Sequence, residues 1–325
     1  KEMRKLFSFL LIIATLYMNA QTGIFESNTH QPFSENLLNI EDILKKINIQ
    51  PVLFGVSSVL DNETSNAFLI GSSVSSKINN RVSFNFIFDY LNGEYNSSID
   101  DYQDSLGIIP GFGTNNTRLQ YNLRYSINRF VTAEIGKGKY FIGDGYRSLL
   151  LSDVAAPFPY LRLMTSFGKV RYYNLYTTFL NPDIINYGRK KHSAIHFLDF
   201  QLTEDINIGV FEAILWQSKS ESRDLGFEFA YMNPIIFYRP VEFSMQSNKG
   251  NALMGSYFHV DYESSFPIQH RGLWYGQIML DDLNISRQKD RDENYSGGFF
   301  QNKFAFQFGL KTKIKNINLL AEYNQ

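Results

Sequence analysis

From about residue 50 onward, apolar and polar residues alternate along the chain. The clearest runs are Phe84, Phe86 and Phe88; Leu119, Tyr121, Leu123 and Tyr125; and Phe304, Phe306, Phe308 and Leu310. Successive side chains of a β-strand point to opposite faces, so this alternation predicts strands with one apolar and one polar face. A soluble sandwich or barrel would bury the apolar face in a core, whereas an outer-membrane barrel would turn it towards lipid.

The lengths of the runs and of the links between them favour the membrane alternative. Many runs are about 10 residues long, which is the length that a tilted strand needs to cross a bilayer. Strands of soluble proteins are shorter, at about 5 or 6 residues. Tight links alternate with long polar links, and the long ones lie at residues 92–117, 140–157, 180–192 and 282–301. The pattern predicts an all-β protein, an antiparallel outer-membrane β-barrel over residues 49–325 with about 12 spanning strands.

Two segments interrupt this rhythm. In residues 140–157, Gly143 and Pro157 break any strand, although the segment is rich in leucine and aromatic residues. Residues 217–250 contain two prolines, and the up-and-down order of the strands is preserved only if the whole stretch is one outer excursion. An irregular apolar backbone cannot face lipid. We therefore predict that the first insert (residues 140–157) and the second insert (residues 217–250) both fold into the lumen.

The two ends of the chain have patterns of their own. Residues 1–20 are typical of a few upstream residues followed by a signal peptide, because two basic residues precede an apolar run too short to span a bilayer. Residues 21–48 are mostly polar, with apolar residues at helical spacing that predict a short amphipathic helix. The last residues stop inside an alternating run, so we expect the chain to be a fragment, truncated at the C-terminus.

Composition excludes several classes of protein. The 325 residues include no cysteine, which rules out disulfides and thiolate metal sites. The 31 Lys and Arg residues balance 32 Asp and Glu, so the basic footprint of a nucleic-acid binder is missing. Aromatic residues make up 16% of the chain, and those at strand ends suit the interfacial girdles of a membrane barrel.

The sequence predicts no catalytic, metal or cofactor site. His192 and His196 are four residues apart, which in a strand means about 13 Å, too far for a shared metal ion. Glycine pairs occur without the strand–loop–helix context of a nucleotide site, and no nucleophile elbow is present. Ser193 with His196 is the best candidate for a lipase-like pair on the barrel wall, but we expect no enzyme.

Two longer segments resemble known proteins. They are FIGDGYRSLLLSDVAAPFPYLR at residues 141–162 and YMNPIIFYRPVEF at residues 231–243, the second followed by GNALMG at residues 250–255. Both are similar to the RemB family of gliding-motility proteins of Bacteroidota and, more distantly, to the Wzi-type capsule-assembly barrels. The resemblance covers roughly residues 130–285 and implies a non-enzymatic barrel in the cell outer membrane. Its implied partners are outer-membrane lipid and either surface polysaccharide or the gliding and secretion machinery.

The inserts also define candidate site residues in the lumen. These are Tyr146, Arg147, Arg162, Tyr238, Arg239 and Glu242. Their charges either lock a plug by pairing with one another, as buried charges usually do, or line a glycan or peptide site. In the second case the tyrosines would stack on the ligand and Arg239 would bind acidic groups.

Three functions follow as alternatives. The first is a RemB-like role in gliding motility or cell-surface organisation, and the second is Wzi-like assembly or anchoring of capsule or exopolysaccharide. The third is a passive, porin-like channel. A plugged lumen favours the first two, and an open lumen favours the third.

Overall fold

The computed structural model describes residues 47–60, 63–94, 101, 116–180, 190–219, 228–235, 237–238, 250–265, 270–281 and 303–325. The predicted signal peptide lies outside these residues, as does all but the end of the predicted polar segment 21–48. Arg239 and Glu242 also lie outside them.

The described residues form strands almost throughout. The strands are β1 (Ile47–Leu60), β2 (Glu63–Lys77), β3 (Val82–Glu94), β4 (Thr117–Ser126), β5 (Val131–Gly138), β6 (Phe158–Phe167), β7 (Val170–Leu180), β8 (Lys190–Gln201), β9 (Ile206–Gln217), β10 (Gly250–Ser264), β11 (His270–Asp281), β12 (Lys303–Ile314) and β13 (Ile317–Asn324). A single 3₁₀ turn, Phe229–Met232, lies in the described part of the second insert. From β2 onward short links alternate with long links, whereas the two links that join β1, β2 and β3 are both short.

All 13 strands belong to one sheet, in which each strand pairs antiparallel with the next strand along the chain. The prediction of an all-β, antiparallel barrel architecture is confirmed, with one strand more than the alternation indicated. The up-and-down order also holds across residues 218–249, because β9 pairs directly with β10.

The sheet curves around the face that carries Gln277. β5 and β11 are six strands apart, which would separate them by about 29 Å in a flat sheet. Ile142 follows the end of β5 by only four residues, which span at most about 14 Å. Gln277 Nε2 in β11 nevertheless donates to Ile142 O at 2.7 Å. A flat sheet cannot make this contact, so the Gln277 face is concave; we call it the inner face, and the opposite one the outer face.

The strand register assigns the other side chains to these faces. The inner face carries the charged and amide side chains Asp89, Arg118, Arg124, Glu134, Arg162, Asp199, Gln277, Gln307 and Glu322. The outer face carries large, exposed apolar side chains: Phe86, Phe88, Tyr121, Leu123, Ile135, Val210, Phe258, Trp274, Ile278, Phe304 and Phe308. An antiparallel sheet with this polarity is the wall of an outer-membrane barrel.

Within the described ranges, no helix is long and apolar enough to cross a membrane.

Both faces are covered locally between β6 and β10. On the inner face, Tyr140 and Leu150 of the first insert pack on a buried apolar cluster from β6–β9: Phe158, Tyr160, Leu175, Ile195, Phe197, Phe211 and Ala213. On the outer face, Tyr231 and Tyr238 of the second insert pack on another: Tyr176, Ala194, Ile214, Trp216 and Ala252. The two inserts therefore lie on opposite sides of the same strands.

Candidate functional site: the first insert and the cavity beside it

The first insert is folded into a closed loop by its own backbone. Ile142 and Leu151 form an isolated antiparallel bridge, with Ile142 N donating to Leu151 O at 3.0 Å. Ser148 Oγ donates to Ile142 O at 2.5 Å and accepts from the backbone N–H groups of Leu150 and Leu151. The hydroxyl of Ser148 thus satisfies backbone groups that would pair with a neighbouring strand if the segment were part of the sheet.

Gln277 fixes this loop to β11. Its amide nitrogen donates to Ile142 O at 2.7 Å, and its Oε1 accepts from Leu149 N at 2.8 Å. The Gln277 side chain is almost completely buried. Both ends of one amide are thus used to bind backbone groups on the two sides of the loop.

Tyr146 and Arg147, two of the predicted site residues, are held through their backbone. Tyr146 N donates to Glu322 Oε2 at 2.7 Å, and the same carboxylate oxygen accepts from Tyr275 OH at 2.7 Å. Gln307 Nε2 donates to Arg147 O at 2.8 Å. The Arg147 guanidinium lies over the Tyr146 ring, 4.3 Å from its centroid. The two side chains therefore contact each other, while their main chain is bound to β12 and β13.

Asp144 makes the contact with β10. Its Oδ2 accepts from Tyr257 OH at 2.5 Å and binds His259 Nδ1 at 2.9 Å. The other ring nitrogen of His259 binds Asp261 Oδ2 at 2.9 Å, so carboxylates occupy both nitrogens and favour the imidazolium. Burial raises the pKa of Asp144, but the hydrogen bonds from His259 and Tyr257 outweigh it, and the pKa lies below its ordinary value.

The start of the first insert contacts Glu134, a buried carboxylate of β5. Glu134 accepts from Tyr140 OH at 2.5 Å, Tyr160 OH at 2.6 Å, Arg162 Nη2 at 2.7 Å and Arg124 Nε at 2.9 Å. Arg162, a predicted site residue, is buried here, with its guanidinium 4.7 Å from the centroid of the Tyr140 ring. Burial strongly raises the pKa of the Tyr140 hydroxyl, which keeps it a donor.

Lys139 lies in the chain between β5, which carries Glu134, and the first insert. Burial, with the positive charge of Arg118 nearby, lowers the pKa of its ammonium group to about 7. Its Nζ donates to Asp153 O at 3.1 Å. At neutral pH this lysine is therefore only partly charged.

A cavity of about 340 Å³ remains between the first insert and the inner face of β6–β10. Its walls include Tyr140, Asp144, Arg162, Arg171, Tyr173, Phe197, Asp199, Tyr257 and His259. This combination of aromatic walls with a few polar groups is typical of small-molecule sites.

The second insert is on the outer face, and the prediction that it folds into the lumen is wrong for its described residues. Tyr238 OH binds His196 Nε2 at 2.7 Å, and Tyr238 N donates to Glu212 Oε1 at 2.7 Å. Tyr172 OH donates to Pro234 O at 2.5 Å. The strand residues in these contacts are Tyr172, His196 and Glu212. Along their strands they alternate with residues that belong to or pack on the inner apolar cluster, so their side chains point outward.

The physical reason is a polar row on the wall itself. Asn174, His196 and Glu212 pair across β7, β8 and β9 in one row of the outer face, where lipid would leave them unsatisfied. The second insert covers this row, and Tyr238 binds two of its members. Tyr238, predicted as a lumen residue, is instead part of an outer cover.

Ser193 and His196 cannot form a hydrolase pair. They are three positions apart along β8, so their side chains point to opposite faces: Ser193 inward and His196 outward. His196 binds Tyr238 instead.

Gly143 offers a test of the loop. Its φ is +123°, and an added Cβ would collide with Nε2 of Gln277. We expect Gly143→Ala to cost about 1–3 kcal/mol of local stability and to speed hydrogen exchange at Leu149 N–H, which Gln277 holds. Gly168→Ala is the matched control, since its φ is +55° but nothing lies within 4 Å of the added Cβ. Equal exchange at Leu149 in both variants would contradict this assignment.

A spin label can test the position of the second insert. Ile235 is 86% exposed, and because the chain has no cysteine, Ile235→Cys gives a unique labelling site. In reconstituted bilayers we expect the label to collide mainly with oxygen dissolved in lipid. Leu202→Cys, in the turn between β8 and β9, should instead favour a water-soluble nickel chelate. A label at residue 235 that behaves like the one at residue 202 would place the segment outside the bilayer.

Comparison with known proteins gives likenesses to solved porins. Mutants of the Rh. blastica porin match with 8% identity and a TM-score of 0.33, covering 86% of this chain and 94% of that chain. OpdQ of Pseudomonas aeruginosa matches with 10% identity and a TM-score of 0.23, covering 86% and 98%. OccAB4 of Acinetobacter baumannii matches with 9% identity and a TM-score of 0.15, covering 86% and 97%.

Neither a family model nor a curated protein matches the chain. At these TM-scores the likeness to porins carries no argument about function, which depends on the sheet and its inner face alone.

Proposed function

We propose that this protein is an outer-membrane channel for small polar solutes, with a lumen narrowed by the first insert. The observation that carries the proposal is the division of one curved sheet into an exposed apolar outer face and a concave polar inner face. The outer face suits lipid, and the inner face suits water and dissolved solutes.

The first insert narrows the inner space without filling it. It is bound to β5 at one end and to β10–β13 further along, yet a cavity of about 340 Å³ remains beside it. Because this cavity remains open beside the insert, a constricted channel is favoured over a sealed plug.

The charges of the inner face are largely paired. Arg118 binds Asp89 at 2.6 Å, and Arg162 binds Glu134 at 2.7 Å. Paired charges of both signs create little net field, so we expect weak selectivity between cations and anions.

Gliding motility and capsule anchoring, which the resemblance to RemB and Wzi-type proteins implies, remain predictions. No contact among the described residues favours either of them over a channel.

Planar-bilayer recording of the purified full chain tests the proposal. We expect discrete, stable steps of ionic current in potassium chloride after insertion. Folding of the sample is checked by heat-modifiable migration in gel electrophoresis. Folded protein that inserts into the bilayer and passes no current would overturn the proposal.

A further inference from the structure

Two lysines of the barrel wall point to its outer face. Lys137 is two positions from Ile135 on β5, and Lys190 is six positions from His196 on β8, so each shares the outward direction of that residue. Every other lysine and arginine in the described strands faces inward. A charged group on the lipid side is costly unless it reaches the headgroups or a partner.

Both lysines lie at the end of the wall that faces the cell exterior. Lys137 precedes only Gly138 at the end of β5, and Lys190 is the first residue of β8. Both strand ends join long links, residues 139–157 and 181–189. The long links of outer-membrane barrels lie outside the cell, and the short turns lie in the periplasm. The two ammonium groups therefore lie at the level of the headgroups of the outer leaflet.

The protein supplies no anionic partner for either lysine within its described part. Lys137 is half-buried and Lys190 is exposed, and neither forms a hydrogen bond or ion pair with a described residue. Several arginines of the inner face do have ion pairs, namely Arg118, Arg124, Arg162 and Arg171. The two outward lysines are thus available to an anion from the membrane.

An apolar groove of about 740 Å³ lies beside Lys137 on the outer face. Lys137 pairs with Tyr121 on one side and Pro159 on the other, and both of these residues line the groove. The second insert packs on Tyr176 and Trp216, which also line it, so the groove runs from the open wall to the edge of that insert. Further walls are Phe86, Leu123, Ile135 and Leu161.

The spacing of the two lysines limits the kind of lipid that can bind both. Ile135 and Ala194 belong to one row of paired residues across β5–β8. Lys137 is two residues and Lys190 four residues beyond this row, towards the long links. Their Cα atoms are therefore roughly 16 Å apart along the wall. A glycerophospholipid with one phosphate cannot bind both lysines at once, whereas an acylated disaccharide with a phosphate at each end can.

We propose that this groove binds lipid A, the acylated and phosphorylated disaccharide of lipopolysaccharide. One phosphate binds Lys137 and the other binds Lys190, while acyl chains lie against Leu123 and Ile135. The ammonium–phosphate contacts are charge-assisted, and the groove buries apolar chains, so the site matches both parts of the ligand. The inference depends on the position of the wall in the outer membrane and not on conduction. A protein that passes no current could still bind the lipid.

Native mass spectrometry of the folded full chain in detergent, titrated with diphosphoryl lipid A, measures this binding. We expect saturable retention of lipid A, and an affinity roughly tenfold weaker for monophosphoryl lipid A and for phosphatidylglycerol, since each lacks one charge-assisted contact. No retention of diphosphoryl lipid A, or equal affinity for either of the other lipids, would overturn the proposal.

Lysine variants localise the phosphate contacts. Lys137→Gln and Lys190→Gln should each weaken the binding of diphosphoryl lipid A roughly tenfold. Lys191→Gln is the matched control, because Lys191 follows Lys190 but faces inward, and it should leave the affinity unchanged. If a variant does not fold, the comparison of the three lipids on the unmodified protein still decides the question. Unaltered affinity in folded Lys137→Gln, or an equal loss in Lys191→Gln, contradicts the assignment.

Two isoleucine variants test the groove itself. Ile135→Trp places a larger side chain inside it and should weaken lipid A binding several-fold. Ile278→Trp makes the same change on the outer face of β11, outside the groove, and should have no effect. The two isoleucines are similarly exposed, at 58% and 49%. The same affinity in both variants would show that the acyl chains do not occupy the groove, which would overturn the proposed site.

Discussion

Replacing residues 143–150 with an Asn-Gly turn is expected to raise the single-channel conductance several-fold. Ile142 and Leu151 already pair as antiparallel neighbours, so a two-residue turn can join them without moving either. The replacement removes the contacts with β10, β12 and β13 and the part of the insert that lies across the inner face, and it keeps the bond from Gln277 of β11 to Ile142 O. The wall strands keep their pairing, because none of the removed residues belongs to a strand.

The measurement is a histogram of current steps from the folded variant and the unmodified protein in the same salt. A matched control replaces residues 229–234 of the second insert, which lie on the outer face and should not alter the conductance. An insert replacement that leaves the step size unchanged would mean that the ion path does not pass the first insert.

The second large effect is expected at Glu134, where Glu134→Ala should cost about 3–5 kcal/mol of unfolding free energy. The substitution leaves the buried Arg162 guanidinium without its carboxylate and removes the acceptor of Tyr140 and Tyr160. An unpaired buried charge is more costly than the loss of the bond alone, because the charge cannot regain water.

Urea titration of refolding into lipid vesicles measures this loss. Glu134→Gln keeps an acceptor and should lose less than the alanine variant. Asp281→Ala is the control, since its ion pair with the exposed Lys303 is 3.7 Å long and should contribute less than about 1 kcal/mol. Similar losses at positions 134 and 281 would show that the buried network contributes no more than a surface pair.

The strand order could be predicted from the sequence because alternation is a local property. Phe304, Phe306 and Phe308 identify their own strand, and the alternation of short and long links then orders the strands. The pairing of Glu134 with Arg124 and Arg162 could not be predicted, because it depends on the register of three strands. A register shifted by one residue would send these side chains to opposite faces.

The sequence of the wall strands bears on the position of the second insert. Asn174 interrupts an apolar face of β7, and Glu212 alternates with the apolar residues of β9. Asn174 is therefore a polar residue on a face predicted to meet lipid, which requires a cover from outside the wall, whereas alternation alone places Glu212 on the lumen side and only the strand register shows it facing outward. The irregular backbone of the insert excludes only its exposure to lipid, and the polar row on the wall beneath it determines the side on which it lies.

The bridge between Ile142 and Leu151 makes the intervening loop a module with adjacent ends. Substitutions, insertions or deletions between them can reshape the lumen while the strands on either side keep their pairing. Glu134 lies before the bridge, so the interactions that stabilise the barrel wall there are separate from those that determine its bore. Selection on permeability could therefore act on residues 143–150 with little change in the stability of the wall.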